Sequence, residues 1–223
     1  LAAVRMRCDL DFAGLVAQLI EQNGGGDMAI YIQVSRGTPG ERNHLIPDDL
    51  EATVFAMTQA FPAPSQSVLE NGVTATICED FRWRQCHIKA TSLLANVMLR
   101  QQAADRDADE AILERDGMIT EGASSSVFAV IDGVLRTPED APTLLPGTTR
   151  DRAIAVARDL GIKVLYQGIS KTELYQADEV WISSALREVL PVTRLDGRAV
   201  GNGLPGPLWK KVYRAFQIAK RTH

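Results

Sequence analysis

Strands and helices mix along this sequence without a strict βαβ rhythm, which predicts an α+β fold and not a doubly wound α/β sheet. Two further observations give it two parts. Phe61-Pro-Ala-Pro-Ser-Gln-Ser67 is the only Pro/Ser-rich stretch of its kind, so 63–68 reads as a linker. It separates a partial N-terminal α+β domain (1–62) from a larger domain (69–223) whose short strands are joined by hairpin signals at Asp132-Gly133 and Asp196-Gly197.

The elements follow in order. Phe12, Leu15, Val16, Leu19 and Ile20 recur at helical spacing, and Gly24-Gly25-Gly26 stops that helix. Ile30, Ile32 and Val34 alternate with Tyr31, Gln33 and Ser35, the pattern of a half-buried strand. A polar loop, Gly37 to His44, leads to a second strand over 52–58. Beyond the linker, strands are expected at 73–78, 111–113, 126–131, 163–166 and 179–182. Helices are expected over Thr91–Ala104 and Thr149–Leu160, the latter ending at Gly161, and a closing helix carries Leu208, Val212 and Phe216.

Composition narrows the function classes. The 223 residues, 45% hydrophobic and 23% charged, are enough for one large or two smaller cores. A net charge of -4 argues against nucleic acid or an anionic membrane as partner. No apolar run is long enough for a bilayer, and no signal peptide is visible. Cys8, Cys78 and Cys86 with His44, His87 and His223 show no metal-type spacing, so no metal is expected and a reduced, cytoplasmic setting is the simplest one. The opening Leu1-Ala-Ala-Val-Arg reads as a strand or loop already under way, which suggests a preceding segment.

Lys89 differs from the other lysines. Lys163, Lys171, Lys210, Lys211 and Lys220 read as solvated residues, whereas Lys89 stands between Ile88 and Ala90, before an apolar helix with Leu93, Leu94, Val97 and Met98. A lysine in that place either extends to water or has a chemical task, since burial lowers its pKa and frees the amine. Context alone favours the former.

The wider strings change the reading. Arg82-Trp-Arg-Gln-Cys-His-Ile-Lys89-Ala-Thr-Ser-Leu-Leu-Ala-Asn96, Thr120-Glu121-Gly122-Ala-Ser124-Ser125-Ser126, Leu144-Leu145-Pro-Gly147-Thr148-Thr149-Arg150, Ala177-Asp178-Glu179-Val-Trp-Ile-Ser183-Ser184-Ala185 and Asp196-Gly197 through Gly206-Pro207 occur in that order. Together they resemble the class IV aminotransferases, two-domain fold type IV enzymes that use pyridoxal 5′-phosphate. The resemblance implies that Lys89 is the catalytic Schiff-base lysine and Glu121 the carboxylate at the cofactor's ring nitrogen. It further implies that Leu145 packs on the ring and that Ser124, Thr148, Thr149, Ser184 and Ala185 complete the cofactor and phosphate contacts. On residue type alone, Glu121 would be an exposed turn glutamate and Thr148 and Thr149 plain helix-start threonines.

Within the class, Ile30-Tyr31-Ile-Gln-Val-Ser-Arg-Gly37 followed by Arg42-Asn43-His44 resembles the D-amino acid aminotransferases. This implies that Arg42 and His44 bind the substrate carboxylate, with Tyr31 beside the substrate, and that a D-amino acid and a 2-oxo acid exchange amino groups in a ping-pong cycle. Thr38-Pro-Gly-Glu41 is slightly long before Arg42, and Ala123 stands where a serine is common. The family's first segment, with its phosphate-gripping arginine, has no counterpart, so the N-terminal domain reads as incomplete. The class further implies a homodimer. Competing readings are a branched-chain L-amino acid or (R)-amine transaminase, an aminodeoxychorismate lyase, and an inactive truncated relative.

Overall fold

The computed structural model describes residues 8–41, 44–46, 50–61 and 63–221, in two compact units, Leu1–Ala63 and Pro64–His223.

In the first unit, α1 spans Phe12–Gln22 and is capped by the Asp11 carboxylate, which accepts the Gly14 amide at 3.0 Å. Its apolar stripe is half-buried, and the chain leaves the helix through Gly24, Gly25 and Gly26, all at positive φ. Strands β1 (Met28–Ser35) and β2 (Thr53–Ala60) pair antiparallel along their full length. Tyr31 and Gln33 share one face, with Tyr31 edge-on to Phe55 at 6.3 Å between ring centroids. The loop that leaves β1 closes on itself at Gly37. There φ is +98° and a Cβ would overlap the Glu51 carbonyl oxygen, so only glycine fits.

The second unit begins with α2 (Gln66–Asn71), whose N-terminus is capped by the Ser65 hydroxyl. The stretch expected as a linker therefore runs directly into a helix, because Ser65 is followed by enough apolar contact at Val68 to hold a short turn in place. The strands that follow are β3 (Val73–Glu79), β4 (Glu110–Arg115), β5 (Met118–Gly122), β6 (Ser126–Ile131), β7 (Val134–Thr137), β8 (Val164–Tyr166), β9 (Glu179–Ser184), β10 (Glu188–Leu195) and β11 (Arg198–Ala199). Interspersed are α3 (Leu94–Ala104), α4 (Thr148–Asp159), α5 (Lys171–Gln176) and α6 (Pro207–Ala219).

Among the described residues these strands form one sheet in the order β5-β4-β3-β10-β9-β6-β7-β8, with β11 on β10. Most neighbours are antiparallel; β3 lies parallel to β4 and β10, and β7 parallel to β8. Both expected hairpins are present as two-residue turns, with Asp132-Gly133 at φ 51° and 73° and Asp196-Gly197 at 49° and 75°. Positive φ at both central residues is what a tight turn on right-twisted strands requires. Asp116-Gly117, at 55° and 82°, is a third.

Two of the apolar clusters that fill the unit are large. One collects residues such as Ile77, Ile112, Val127, Ile182 and Val192; the other packs Phe128 and Trp181 against α4 and α6 through Ile154, Trp209 and Phe216. α6 is anchored by a charge. Buried Glu179 accepts the Leu208 and Trp209 amides and the Trp181 indole, each at 2.9 Å. Gly206 must lack a Cβ to let that carboxylate in.

One expectation needs correction. α3 begins at Leu94 and not Thr91, and Leu93, Leu94, Val97 and Met98 are exposed. The face that packs on the sheet instead carries Leu99 and Ala103, one turn apart, in a cluster with Cys78, Leu113 and Ala123.

Candidate active site

The segment from β3 to α3 holds Lys89, and three tethers fix it. At its start, Arg82 forks onto Asp80, with Nε to Oδ1 and Nη2 to Oδ2 both at 2.9 Å. Its Nη1 donates to Glu121 Oε1 at 2.6 Å. In the middle, the His87 amide donates to the Pro142 carbonyl at 3.2 Å. At its end, Asn96 Nδ2 donates to the Ala123 carbonyl at 2.8 Å. The loop is thereby joined to the strand end that carries Glu121 and to the segment that leads into α4. Lys89 itself is exposed on this loop; the apolar helix beyond it does not enclose it.

Glu121, expected on residue type to be an exposed turn residue, is 6% exposed. Its Oε2 accepts the Leu145 amide at 3.1 Å, so the two residues expected at the cofactor ring are held together. Burial pushes its carboxyl up, against the pull of Arg82 and the Leu145 amide. Burial would also raise Asp80, but the Arg82 fork, the Thr120 hydroxyl at 2.9 Å and Arg115 hold that carboxyl below its usual range. Between two carboxylates, Arg82 is a permanent cation; desolvation opposes its charge, and the two anions more than offset this and raise its pKa. Arg82 was visible in the sequence only as the first letter of a motif. The signal that could have singled it out is Asp80-x-Arg82 leaving a buried strand.

The residues expected at the phosphate come from three chain segments. α4 starts at Thr148 after Gly147, which offers no side-chain cap and leaves the helix-start amides of Thr148 and Thr149 to an outside acceptor. A Cβ at Gly147 would stand 2.7 Å from Ser126 Oγ. Ser126 in turn pairs with Ser183 across β6 and β9, and Ser183 Oγ is buried with no hydrogen-bond partner among the described residues. Ser184 and Ala185 follow at the end of β9, and Ser124 precedes β6; Arg187 connects them, its amide on Ser184 Oγ at 3.3 Å and its Nη2 on Ser124 Oγ at 3.0 Å. An orphaned hydroxyl, an uncapped helix start and a glycine whose Cβ would crowd the Ser126 hydroxyl suit a phosphate group, and a buried carboxylate suits a protonated ring nitrogen. Pyridoxal phosphate fits this set of donors.

Tyr31, Arg42 and His44, which the resemblance assigns to the substrate, belong to the first unit. Tyr31 is 44% exposed on β1 and donates to Gln33 Oε1 at 2.8 Å. His44 is exposed on the loop after Gly37, and Arg42 lies outside the described residues. No helix among the described residues is long and apolar enough to cross a membrane.

This fold and this set of residues fit a pyridoxal-phosphate enzyme, and comparison with known proteins gives the family. The class IV aminotransferase profile matches residues 7–195, and the chain belongs to that pyridoxal-phosphate-dependent family. It is 38% identical to a D-alanine aminotransferase of Bacillus licheniformis over 97% of this chain and 77% of the relative. A D-alanine aminotransferase of Staphylococcus aureus is 37% identical over 94% of this chain and 74% of its own length. Among solved structures, the branched-chain amino acid aminotransferase of Escherichia coli superposes with a TM-score of 0.86 at 29% identity, covering 97% of this chain and 74% of that one.

Proposed function

We propose that this chain exchanges amino groups between D-amino acids and 2-oxo acids. The likeness to D-alanine aminotransferases over nearly the whole chain carries this reading, and the Arg42-Asn43-His44 string supports it. When bound, pyridoxal phosphate supplies an electron sink for the pair left at the substrate Cα. Lys89 would hold the cofactor through its amine. Once displaced by the substrate amine, the freed Lys89 amine would take the proton from the substrate Cα as general base and deliver it to the cofactor's C4′ carbon as general acid. The Glu121 carboxylate would face the ring nitrogen and favour its protonated form, with Arg82 and the Leu145 amide holding the carboxylate in place and opposing the upward push of burial. Leu145 packs on the ring. The α4 amides with Thr148 and Thr149, joined by Ser124, Ser184 and Ala185, grip the phosphate. Tyr31, Arg42 and His44 bind the substrate, Arg42 as a planar fork on the carboxylate.

We also place the enzyme in the cytoplasm as a homodimer. The free cysteines Cys8, Cys78 and Cys86 support the first; a disulfide in protein extracted under alkylating conditions would argue against it. The exposed apolar side chains of Phe81, Trp83, Leu93, Leu94, Val97 and Met98 support the second.

A donor panel tests the activity. D-alanine should be the good donor, with L-leucine, (R)-1-phenylethylamine and aminodeoxychorismate poor. In Arg42→Ala, efficiency on D-alanine should fall roughly 10- to 100-fold while the carboxylate-free amine changes little. An equal fall on both donors, or L-leucine as the best donor, would move the branched-chain reading ahead.

A further inference from the structure

Glu110 is an ionisable group for which the chemistry above has no use, and it is fully buried at the start of β4. A carboxylate in that position needs partners. Its Oε1 accepts the Ala111 amide at 3.0 Å and has the half-exposed Arg100 Nη1 at 3.6 Å. Its Oε2 accepts the Ser125 hydroxyl at 3.0 Å, the Ser124 hydroxyl at 3.3 Å, and Arg187 Nη2 in direct contact. Arg187 is the third residue of the tight connection between β9 and β10, immediately after Ser184, Ala185 and Leu186. One guanidinium thus touches Ser124 on one cofactor segment, its own backbone amide touches Ser184 on the other, and its charge rests on an anchor at the base of the sheet.

We propose that Arg187, seated on Glu110, is a positioning residue that fixes the Ser124 and Ser184–Ala185 segments against each other and so sets the affinity for the cofactor phosphate. This rests on the assignment of those segments to the phosphate given above. A single guanidinium nitrogen, Nη2, makes both the Glu110 and the Ser124 contact, and the planar group fixes the angle between them where a lysine ammonium on a flexible stem does not. Among the described residues, Ser126 pairs with Ser183 on the strands, and beyond the strand ends the tie between Ser124 and the connection after Ser184 is made by Arg187.

The test is a pyridoxal phosphate titration of apo-protein, read by the visible cofactor band, with apo-protein melting measured in parallel. Arg187→Ala should weaken binding roughly 10- to 100-fold, with Arg187→Lys in between. Pyridoxal, which lacks the phosphate, should bind both proteins equally. The double variant Glu110→Gln/Arg187→Gln removes the stranded charge; it should melt near wild type yet still bind the cofactor weakly, and it keeps the test open where Arg187→Ala does not fold. Unchanged affinity in Arg187→Ala, equal losses for pyridoxal, or recovered affinity in the double variant would each overturn the proposal, leaving Arg187 as a counter-ion only. Wild-type protein that takes up no cofactor would instead sink the assignment of the site itself.

Discussion

Replacing Arg82 with alanine would strand two buried carboxylates. Asp80 would lose its bidentate partner and Glu121 the cation 2.6 Å away, while the Thr143 carbonyl would lose a donor. Asp80 would retain Arg115 at 3.2 Å and Thr120 at 2.9 Å; Glu121 would retain only the Leu145 amide. Breaking one member out of a buried charge cluster costs about 3–5 kcal/mol. For a unit of this size, about 1 kcal/mol shifts the melting temperature by roughly 2–4 °C, so the deficit at neutral pH should be on the order of 10 °C.

The deficit should also depend on pH, and its sign is fixed. Without Arg82, burial and the mutual repulsion of Asp80 and Glu121 raise the folded-state pKa of Glu121 further. A group whose folded pKa lies above its unfolded value stabilises below the unfolded value and loses that contribution as pH rises. Arg82→Ala should therefore melt closer to wild type near pH 5 than near pH 8, measured by circular dichroism on apo-protein in the same salt. Arg82→Lys should recover part of the loss, the charge without the fork. A deficit that is the same at both pH values would refute the charge argument and leave Arg82 as a packing residue.

Two other outcomes follow from the same geometry. Glu179→Ala should lower the stability of the second unit by several kcal/mol, because two α6 amides and the Trp181 indole lose their acceptor in a buried place; Glu179→Gln should lose less, and a melting curve like wild type's would show that water takes over the cap. In solution the chain should have twice its 24.3 kDa mass, and Leu94→Glu should shift it toward the monomer in sedimentation; a wild-type monomer would leave the exposed face of α3 unexplained.

Much of the fold was legible because local rules were obeyed. The turns at Asp132-Gly133 and Asp196-Gly197 and the glycines after α1 need only neighbouring residues, and they appear where expected; β1 forms as a strand, but its burial does not alternate, with residues from Ile32 to Ser35 all half-buried. Short elements were missed. α5 has a capping box, Ser170 with Glu173, that was open to view, and β5 is bounded by the unread turn at Asp116-Gly117. The order of strands in the sheet, and the parallel pairing of β3 with β10, depend on contacts far apart in sequence and left no local mark. In the site, the motif strings led to Lys89, Glu121 and Leu145, and the structure joins the last two directly. What pattern could not reveal was which residues hold them. Arg82, Glu110 and Arg187 act by charge across buried distances, and an isolated arginine in a sequence looks like surface. The α3 expectation failed for a related reason: apolar residues occupy two faces of that helix, and periodicity does not say which one meets the sheet.

The most direct test of the account is the identity of the lysine that carries the cofactor. Borohydride treatment of the pyridoxal-phosphate-loaded protein, followed by proteolysis and peptide mass mapping, should place a single pyridoxyl group on the peptide containing Lys89, and Lys89→Ala should show neither the adduct nor the visible cofactor band. A pyridoxyl group on Lys163 or Lys171, or a Lys89→Ala protein that retains the band, would contradict it.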